Sequence, residues 1–170
     1  MRWIWIDKFE KFETGVQAVA IKNVSLAEEY LHDHVPGFPV MPASLLIEGM
    51  AQTAGILVGA ARNFKEKVIL AKISNASFTR LVRPGEQIVY TAKIANVNET
   101  GASIEGVVTV RTLTGGGTRG EEVPVGTIEM MFSHIDQNMA GLKFPDFNFV
   151  FNSQFMELFE TYRREFVINI

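Results

Sequence analysis

One histidine and one glutamate stand at the two ends of a Gly/Pro-rich segment, HVPGFPVMPASLLIE, which begins at His34 and ends at Glu48. An imidazole takes up a proton near neutral pH, so His34 is a candidate general base. The neighbours of Glu48 are apolar, and such surroundings favour an uncharged carboxyl group that can donate a proton. The segment therefore predicts a site of acid–base chemistry.

The elements that hold these two side chains are expected to differ. The three prolines of the segment fix the backbone and discourage helix before them, so we expect His34 on a rigid, non-helical stretch. A helix can begin at about the last of these prolines and continue over residues 43–61. Along that helix Ser44, Glu48 and Gln52 recur every four residues. At helical pitch they form one polar line on an otherwise apolar rod.

The same helix is long enough to be mistaken for a membrane span. It approaches the ~20 residues that a bilayer requires, and Gly55 and Gly59 have the spacing of packed transmembrane helices. Glu48 and Gln52 argue against a membrane. We therefore predict a buried core helix, with its glycines at points where strand backbone comes close.

Strand-like runs surround this helix in the sequence. A weak alternation at 3–7 and a run at 17–24 precede it, and a capping box at Ser25 is expected to open a short helix. Four runs rich in Val, Ile and Thr follow the helix, at 68–78, 87–97, 102–113 and 123–134. A glycine turn at 115–117 is expected between the last two. Short connections favour an antiparallel meander, and a sheet curled around the helix gives an α+β architecture.

The composition limits the kind of protein. The chain has 170 residues, enough for one domain with a tail, and its formal net charge of −3 shows no basic footprint for nucleic acid. It contains no cysteine, which excludes disulfides and is typical of a reducing compartment. No long apolar segment opens the chain, so no secretory signal is predicted. We expect a cytoplasmic protein.

The Gly/Pro segment also carries a family resemblance. His34 with Pro-Gly after it, then Pro-Val-Met-Pro, Glu48 and Ala51-Gln52, resembles the active-site segment of 3-hydroxyacyl-acyl-carrier-protein dehydratases, which are hotdog-fold enzymes of fatty acid synthesis. Flanking runs such as Asp7-Lys-Phe extend the resemblance over about residues 5–135. It implies a hotdog fold, with an antiparallel sheet wrapped around one long central helix.

The resemblance also implies a reaction and roles for residues. A 3-hydroxyacyl thioester on the phosphopantetheine of acyl carrier protein loses water to give a trans-2-enoyl thioester, with no metal and no further cofactor. His34 removes the α proton, and Glu48 protonates the leaving hydroxyl. Free backbone N–H groups at the helix start hold the thioester oxygen. The predicted substrate-binding residues are Gly37, Ala43, Ser44 and Gln52.

The resemblance implies partners as well. In the family, the His and Glu of one site come from different subunits, so a homodimer is expected, with assembly into a trimer of dimers left open. The substrate partner is acyl carrier protein or a CoA thioester. A locally basic stretch is either ordinary solvated surface or a docking patch for the acidic carrier protein: Arg62, Lys65, Lys67, Lys72, Arg80 and Arg83.

The last residues form a separate part of the prediction. We place the hotdog domain at 1–138 and a Phe-rich extension at 139–170, with a short helix from Ser153. The extension is expected to pack on the sheet or on a neighbouring subunit. The alternative is that it shapes a tunnel for the acyl chain.

Other interpretations of the site remain open at this stage. His34 could cap a backbone group, Glu48 could pair with a buried arginine, and Gln52 could bind backbone near the loop. The run His32-Asp33-His34 could suggest a metal site. Adjacent residues face apart, however, and no convincing third ligand is present. A hotdog thioesterase, which lacks the His-Pro-Gly segment, and a non-catalytic acyl-binding protein are the rival functions.

Overall fold

An antiparallel sheet and one long helix form the body of the protein. The computed structural model describes residues 4–113, 119–135, 141 and 144–165. The predicted glycine turn at 115–117 and the predicted domain boundary at 138/139 lie outside the described residues. The elements are β1 (Lys8–Glu13), β2 (Gln17–Asn23), α1 (Tyr30–Asp33), α2 (Ala43–Ala61), β3 (Val68–Phe78), β4 (Glu86–Val97), β5 (Gly101–Leu113), β6 (Arg119–His134) and α3 (Ser153–Glu165).

The six strands have the order β1-β2-β4-β5-β6-β3, and every neighbouring pair is antiparallel. The predicted meander is correct for β4 to β6 but wrong for β3, which pairs with β6 at the far edge of the sheet. The link from β3 to β4 crosses beneath the Gly/Pro segment. There Val82 O accepts from Met41 N at 2.8 Å, and Gly85 N donates to Val24 O at 2.9 Å. These bonds tie the link to the segment before α2 and to the residue after β2.

The first strand lies later than its predicted position at 3–7. Its sequence, KFEKFE, repeats every three residues and so matches neither the helical nor the strand period. The register of β1 against β2 shifts between Phe9 and Lys11. A bulge of this kind inserts one residue, and it turns Phe9 and Phe12 to the same buried face.

The predicted capping box is also wrong. Ser25 Oγ accepts from Ala27 N at 3.2 Å, which makes a local turn, and α1 begins only at Tyr30. The carboxylate of Glu28 accepts instead from Lys22 Nζ at 2.5 Å and from the Tyr30 hydroxyl. Because Glu28 is held by these side chains, it does not reach back to a helix terminus.

Helix α2 is the core of the fold and packs against β2 to β6. Among the described residues it is the one helix long and apolar enough to cross a membrane, but 67% of that apolar window is buried inside the protein. Its glycines face aromatic rings and not strand backbone, contrary to the prediction. A Cβ at Gly55 would lie 3.2 Å from the ring of Phe132, and a Cβ at Gly59 would lie 2.5 Å from Phe151.

Candidate active site

The start of α2 presents unpaired backbone donors. Pro42 is the N-cap, and its carbonyl accepts from Leu45 N at 3.0 Å and from Leu46 N at 3.2 Å. Ala43 and Ser44 are exposed, and within the described part of the chain no acceptor is seen for their N–H groups. The first N–H groups of a helix point along its axis, at the positive end of its dipole. This helix start can therefore hold a developing oxyanion.

One turn further along α2, Glu48 is half-buried and hydrogen-bonded. Gln52 Nε2 donates to Glu48 Oε1 at 2.8 Å, and Gln52 Oε1 accepts from the buried backbone N–H of Trp5 at 2.7 Å. The Trp5 bond fixes which end of the amide faces Glu48, because only the NH₂ end can donate. Gln52 engages one carboxyl oxygen of Glu48.

These contacts answer two of the open alternatives. The partner of Glu48 is Gln52 and not a buried arginine. Gln52 does bind backbone, at Trp5 near the start of the chain. Sequence reasoning missed Trp5 because a backbone donor 47 residues away leaves no side-chain pattern.

An open pocket of about 180 Å³ lies beside Glu48. Its walls come from α2, from the edge strand β3, from β6 and from the segment before α3: Glu48, Ala51, Gln52, Gly55, Val68, Leu70, Phe132, Val150 and Phe151. The lining is apolar except for Glu48 and Gln52, which lie together. A cavity with one polar corner suits a ligand that is an apolar chain with one reactive group.

Tyr90 lies beneath this part of α2. Its ring occupies the space that a side chain at position 49 would need, so Gly49 is required for the strand and the helix to approach. Burial raises the pKa of Tyr90 far above its ordinary value, and the charges of Asp7 and Glu48 raise it further. The Tyr90 hydroxyl therefore stays neutral beside the site.

His34 occupies a different kind of position. It is the C-cap of α1 with helical φ and ψ of −61° and −50°, and its N–H donates to Tyr30 O at 3.2 Å. The prediction of a non-helical position is thus wrong, because the prolines restrict only the residues directly before them and Val35 separates His34 from Pro36. The His34 side chain is exposed.

The turn after His34 is built by proline and glycine. Phe38 N donates to Val35 O at 2.9 Å, and Gly37 has a φ of +74°, which an L side chain rarely adopts. Gly37 is exposed, with no atom close to where a Cβ would be. The glycine therefore serves the backbone turn, and its predicted contact with substrate stays a prediction.

The structure thus brings together some of the predicted site residues. Glu48 and Gln52 share a hydrogen bond and a pocket. Ala43 and Ser44 lie at the start of the same helix, whereas His34 is not among the described residues that line the pocket. Nor do any three described His, Cys, Asp or Glu side chains cluster in a way that could hold a metal ion.

The predicted basic stretch is partly occupied by internal contacts. Lys67 is buried, and Arg80 Nη2 pairs with Glu86 Oε1 at 2.5 Å. The guanidinium of Arg83 lies 4.6 Å from the ring centroid of Phe38. Arg83 therefore borders the loop that follows His34.

Comparison with known proteins gives consistent matches. A family model described as FabA-like domain matches residues 3–118. The 3-hydroxyacyl-[acyl-carrier-protein] dehydratase FabZ of Caldanaerobacter subterraneus subsp. tengcongensis is 34% identical over 131 residues, which are 76% of this chain and 86% of that protein. FabZ of Coxiella burnetii is 38% identical over 112 residues, 64% of this chain and 79% of that protein.

A solved structure is similar as well. The dehydratase heterocomplex ApeI:P from Xenorhabdus doucetiae aligns with a TM-score of 0.58 at 15% identity, covering 81% of this chain and 90% of that chain. At this identity the likeness concerns the fold alone. The predicted hotdog fold is confirmed.

Proposed function

This chain belongs to the FabA-like family, and we propose that its His34 and Glu48 dehydrate 3-hydroxyacyl groups carried on acyl carrier protein. The predicted family and enzyme class are confirmed: the chain is a 3-hydroxyacyl-acyl-carrier-protein dehydratase, a hydro-lyase of fatty acid biosynthesis. The reaction converts a 3-hydroxyacyl thioester to a trans-2-enoyl thioester and is reversible. The roles of individual residues are our proposal.

Glu48 is the proposed acid, and its contact with Gln52 beside an apolar pocket is the observation that carries this assignment. Because Gln52 engages Oε1 of the carboxyl group, Oε2 is left to face the β-hydroxyl of the substrate. This carboxyl oxygen lies beside apolar walls, where the β-carbon of a bound acyl group would bring its hydroxyl within reach. The N–H groups of Ala43 and Ser44 supply the oxyanion site.

His34 is the proposed base, and it reaches the substrate from another copy of the chain. Its exposure supports this arrangement, since one chain leaves the imidazole outside the Glu48 pocket. A second observation supports a homodimer. Strand β3 is an edge strand that pairs with β6 on one side, and it exposes Ile69, Leu70 and Ile73. Such an apolar edge favours pairing with a second strand, and β3 borders the pocket.

The remaining partners follow from the same chemistry. The mechanism uses side chains, backbone N–H groups and a thioester on phosphopantetheine, with no metal and no further cofactor. Acyl carrier protein is acidic, and Arg83 at the loop after His34 is a suitable contact for it. We propose a cytoplasmic location, in agreement with the lack of cysteines.

Two assays on the purified protein test this function. Hydration of a crotonyl thioester is followed by the loss of the conjugated double bond, and release of free thiol is followed in the same sample. We expect rapid hydration without thiol release. Thiol release would indicate a thioesterase, and binding of the thioester without either reaction would indicate a non-catalytic acyl-binding protein.

A further inference from the structure

The segment before α3 lines the Glu48 pocket. Val150 and Phe151 form part of its wall, together with α2 and β3. Both residues lie beyond residues 3–118, the part of the chain that matches the family model. This wall is therefore built by a region of the chain that the family match does not cover.

Phe151 stands at the end of the pocket away from Glu48. The pocket follows α2 from Glu48 to Gly55, and Phe151, which also lines it, packs on Gly59, one turn further along the helix. At 1.5 Å per residue, Gly59 lies about 16 Å from Glu48 along the helix axis. A Cβ at position 59 would come 2.5 Å from Phe151 Cζ, so the ring lies directly on the helix backbone.

Hydrogen bonds to Asn148 hold Phe151 in this place. Asn148 Nδ2 donates to Phe64 O at 3.1 Å and to Glu66 O at 3.0 Å. Its Oδ1 accepts from the N–H groups of Val150 and Phe151, each at 3.0 Å. One amide thus ties the segment to the loop after α2. Such a two-sided attachment makes a defined wall and not a loose cover.

Aromatic packing supports the ring itself. Phe151 is buried, with its ring centroid 5.0 Å from that of Phe64 and 5.3 Å from that of Phe155. Phe64 has a φ of +54°, an uncommon conformation for a bulky residue. The contacts of Asn148 and Phe151 compensate for this backbone strain at Phe64.

We propose that Phe151 is the end wall of the acyl site and limits the length of the acyl chain that the enzyme accepts. This inference rests on the proposed function, because it takes the thioester to lie at Glu48 with its acyl chain along α2. A chain that extends past Gly55 meets the Phe151 ring. Shorter chains end before the ring and do not depend on it.

The test compares Phe151→Ala with Phe155→Ala in the full chain. Phe155 is equally buried and belongs to the same aromatic cluster, but it is not among the described residues that line the Glu48 pocket. Hydration of crotonyl, octenoyl and hexadecenoyl thioesters gives kcat/KM for each. In Phe151→Ala we expect the preference for hexadecenoyl over octenoyl to rise about tenfold or more, since each extra methylene that fits contributes on that scale. The chain-length profile of Phe155→Ala should stay as in the wild type.

Each outcome decides one part of the inference. A folded Phe151→Ala protein with an unchanged profile would overturn it, as would an equal shift in Phe155→Ala, which would reflect general loosening. If the alanine variant does not fold, Phe151→Leu keeps an apolar side chain and should shift the profile in the same direction by less. Failure of the proposed function is distinguishable, because the wild type would then not hydrate even the crotonyl thioester.

Discussion

Glu48 and His34 end one sequence segment, yet the structure gives them opposite surroundings. Glu48 lies on a helix of 19 residues in the core, with a hydrogen bond from Gln52 and a pocket beside it. His34 caps a helix of four residues and has an exposed side chain. One candidate catalytic group is thus positioned by the core of a single chain, and the other is carried at its surface.

This difference indicates that the proposed acid and the proposed base are positioned by different means. A side chain on a packed helix is held within narrow limits, whereas one on a short surface element is held only once something packs against it. The proposed acid and the proposed oxyanion site both belong to α2, which also forms one wall of the pocket. We propose that the base comes from a second copy of the chain, and the chain's own edge strand β3, where such a copy could pair, lies beside the pocket.

Replacing His34 by alanine should cause the largest loss. General acid–base catalysis contributes about 10²–10⁴-fold, and in hydration His34 returns to the α carbon the proton that it removes in dehydration, so crotonyl thioester hydration should fall by that factor. The melting temperature should stay the same, since the side chain is exposed. His32→Ala is the matched control, as His32 is an exposed histidine on the same short helix. Near-normal activity of His34→Ala, or an equal loss in His32→Ala, would contradict the assignment.

Replacing Glu48 by glutamine should lower activity by at least about 10²-fold, since an amide cannot supply the proton that the leaving hydroxyl needs. Stability should nevertheless hold within about 1 kcal/mol, because the new amide oxygen can still accept from Gln52. Activity and a melting curve are measured on the same sample. A lower melting temperature with intact activity would make Glu48 a structural residue.

Mixing the His34→Ala and Glu48→Gln variants tests whether the His34 and the Glu48 of one active site come from different chains. A mixed dimer of His34→Ala and Glu48→Gln chains holds one site with both changes and one site with neither. After unfolding and refolding together, random pairing in a two-fold dimer should restore about a quarter of wild-type activity. Each variant refolded alone is the control. No recovery, despite dimers of both chains, would place His34 and Glu48 in the same chain's site.

Much of the fold was predictable because the relevant patterns are local. The bounds of α2 follow from Pro42 and from the long apolar run, and the strands after it show alternation and branched residues. The first strand was missed because a bulge hides its period, and the place of β3 was missed because pairing across the sheet leaves no local signal. Registers between distant segments depend on packing.

The candidate site was predictable to a similar degree. The spacing on α2 identified Glu48 and Gln52 as neighbours, and their hydrogen bond agrees with that spacing. The acceptor role of Gln52 toward Trp5 and the contribution of Phe151 to the pocket were not predictable as specific contacts. Both depend on segments that meet only in the folded chain, one from each end of the sequence.

Replacing Gln52 should cause the smallest loss of activity. It tests whether Glu48 depends on its hydrogen bond within the core of one chain. Gln52→Leu removes the donor to Glu48 and the acceptor for the buried Trp5 N–H. Loss of that acceptor should lower the free energy of unfolding by about 1–3 kcal/mol. Activity should fall about tenfold in kcat with little change in KM, because Glu48 stays in place but loses a hydrogen bond of ordinary strength.

Gln52→Glu separates the two bonds. Its carboxylate still accepts from Trp5 N, so at a pH low enough for the two carboxyl groups to share a proton the melting temperature should recover most of the loss seen in Gln52→Leu. It cannot donate to Glu48 when ionised, and two adjacent carboxylates repel unless they share a proton. The melting temperature of this variant should therefore decline as pH rises, more steeply than that of the wild type, and its kcat at neutral pH should stay near that of Gln52→Leu. Equal stability of the two variants at low pH would show that the Trp5 bond contributes nothing, and a wild-type kcat at neutral pH would show that Gln52 does not orient Glu48.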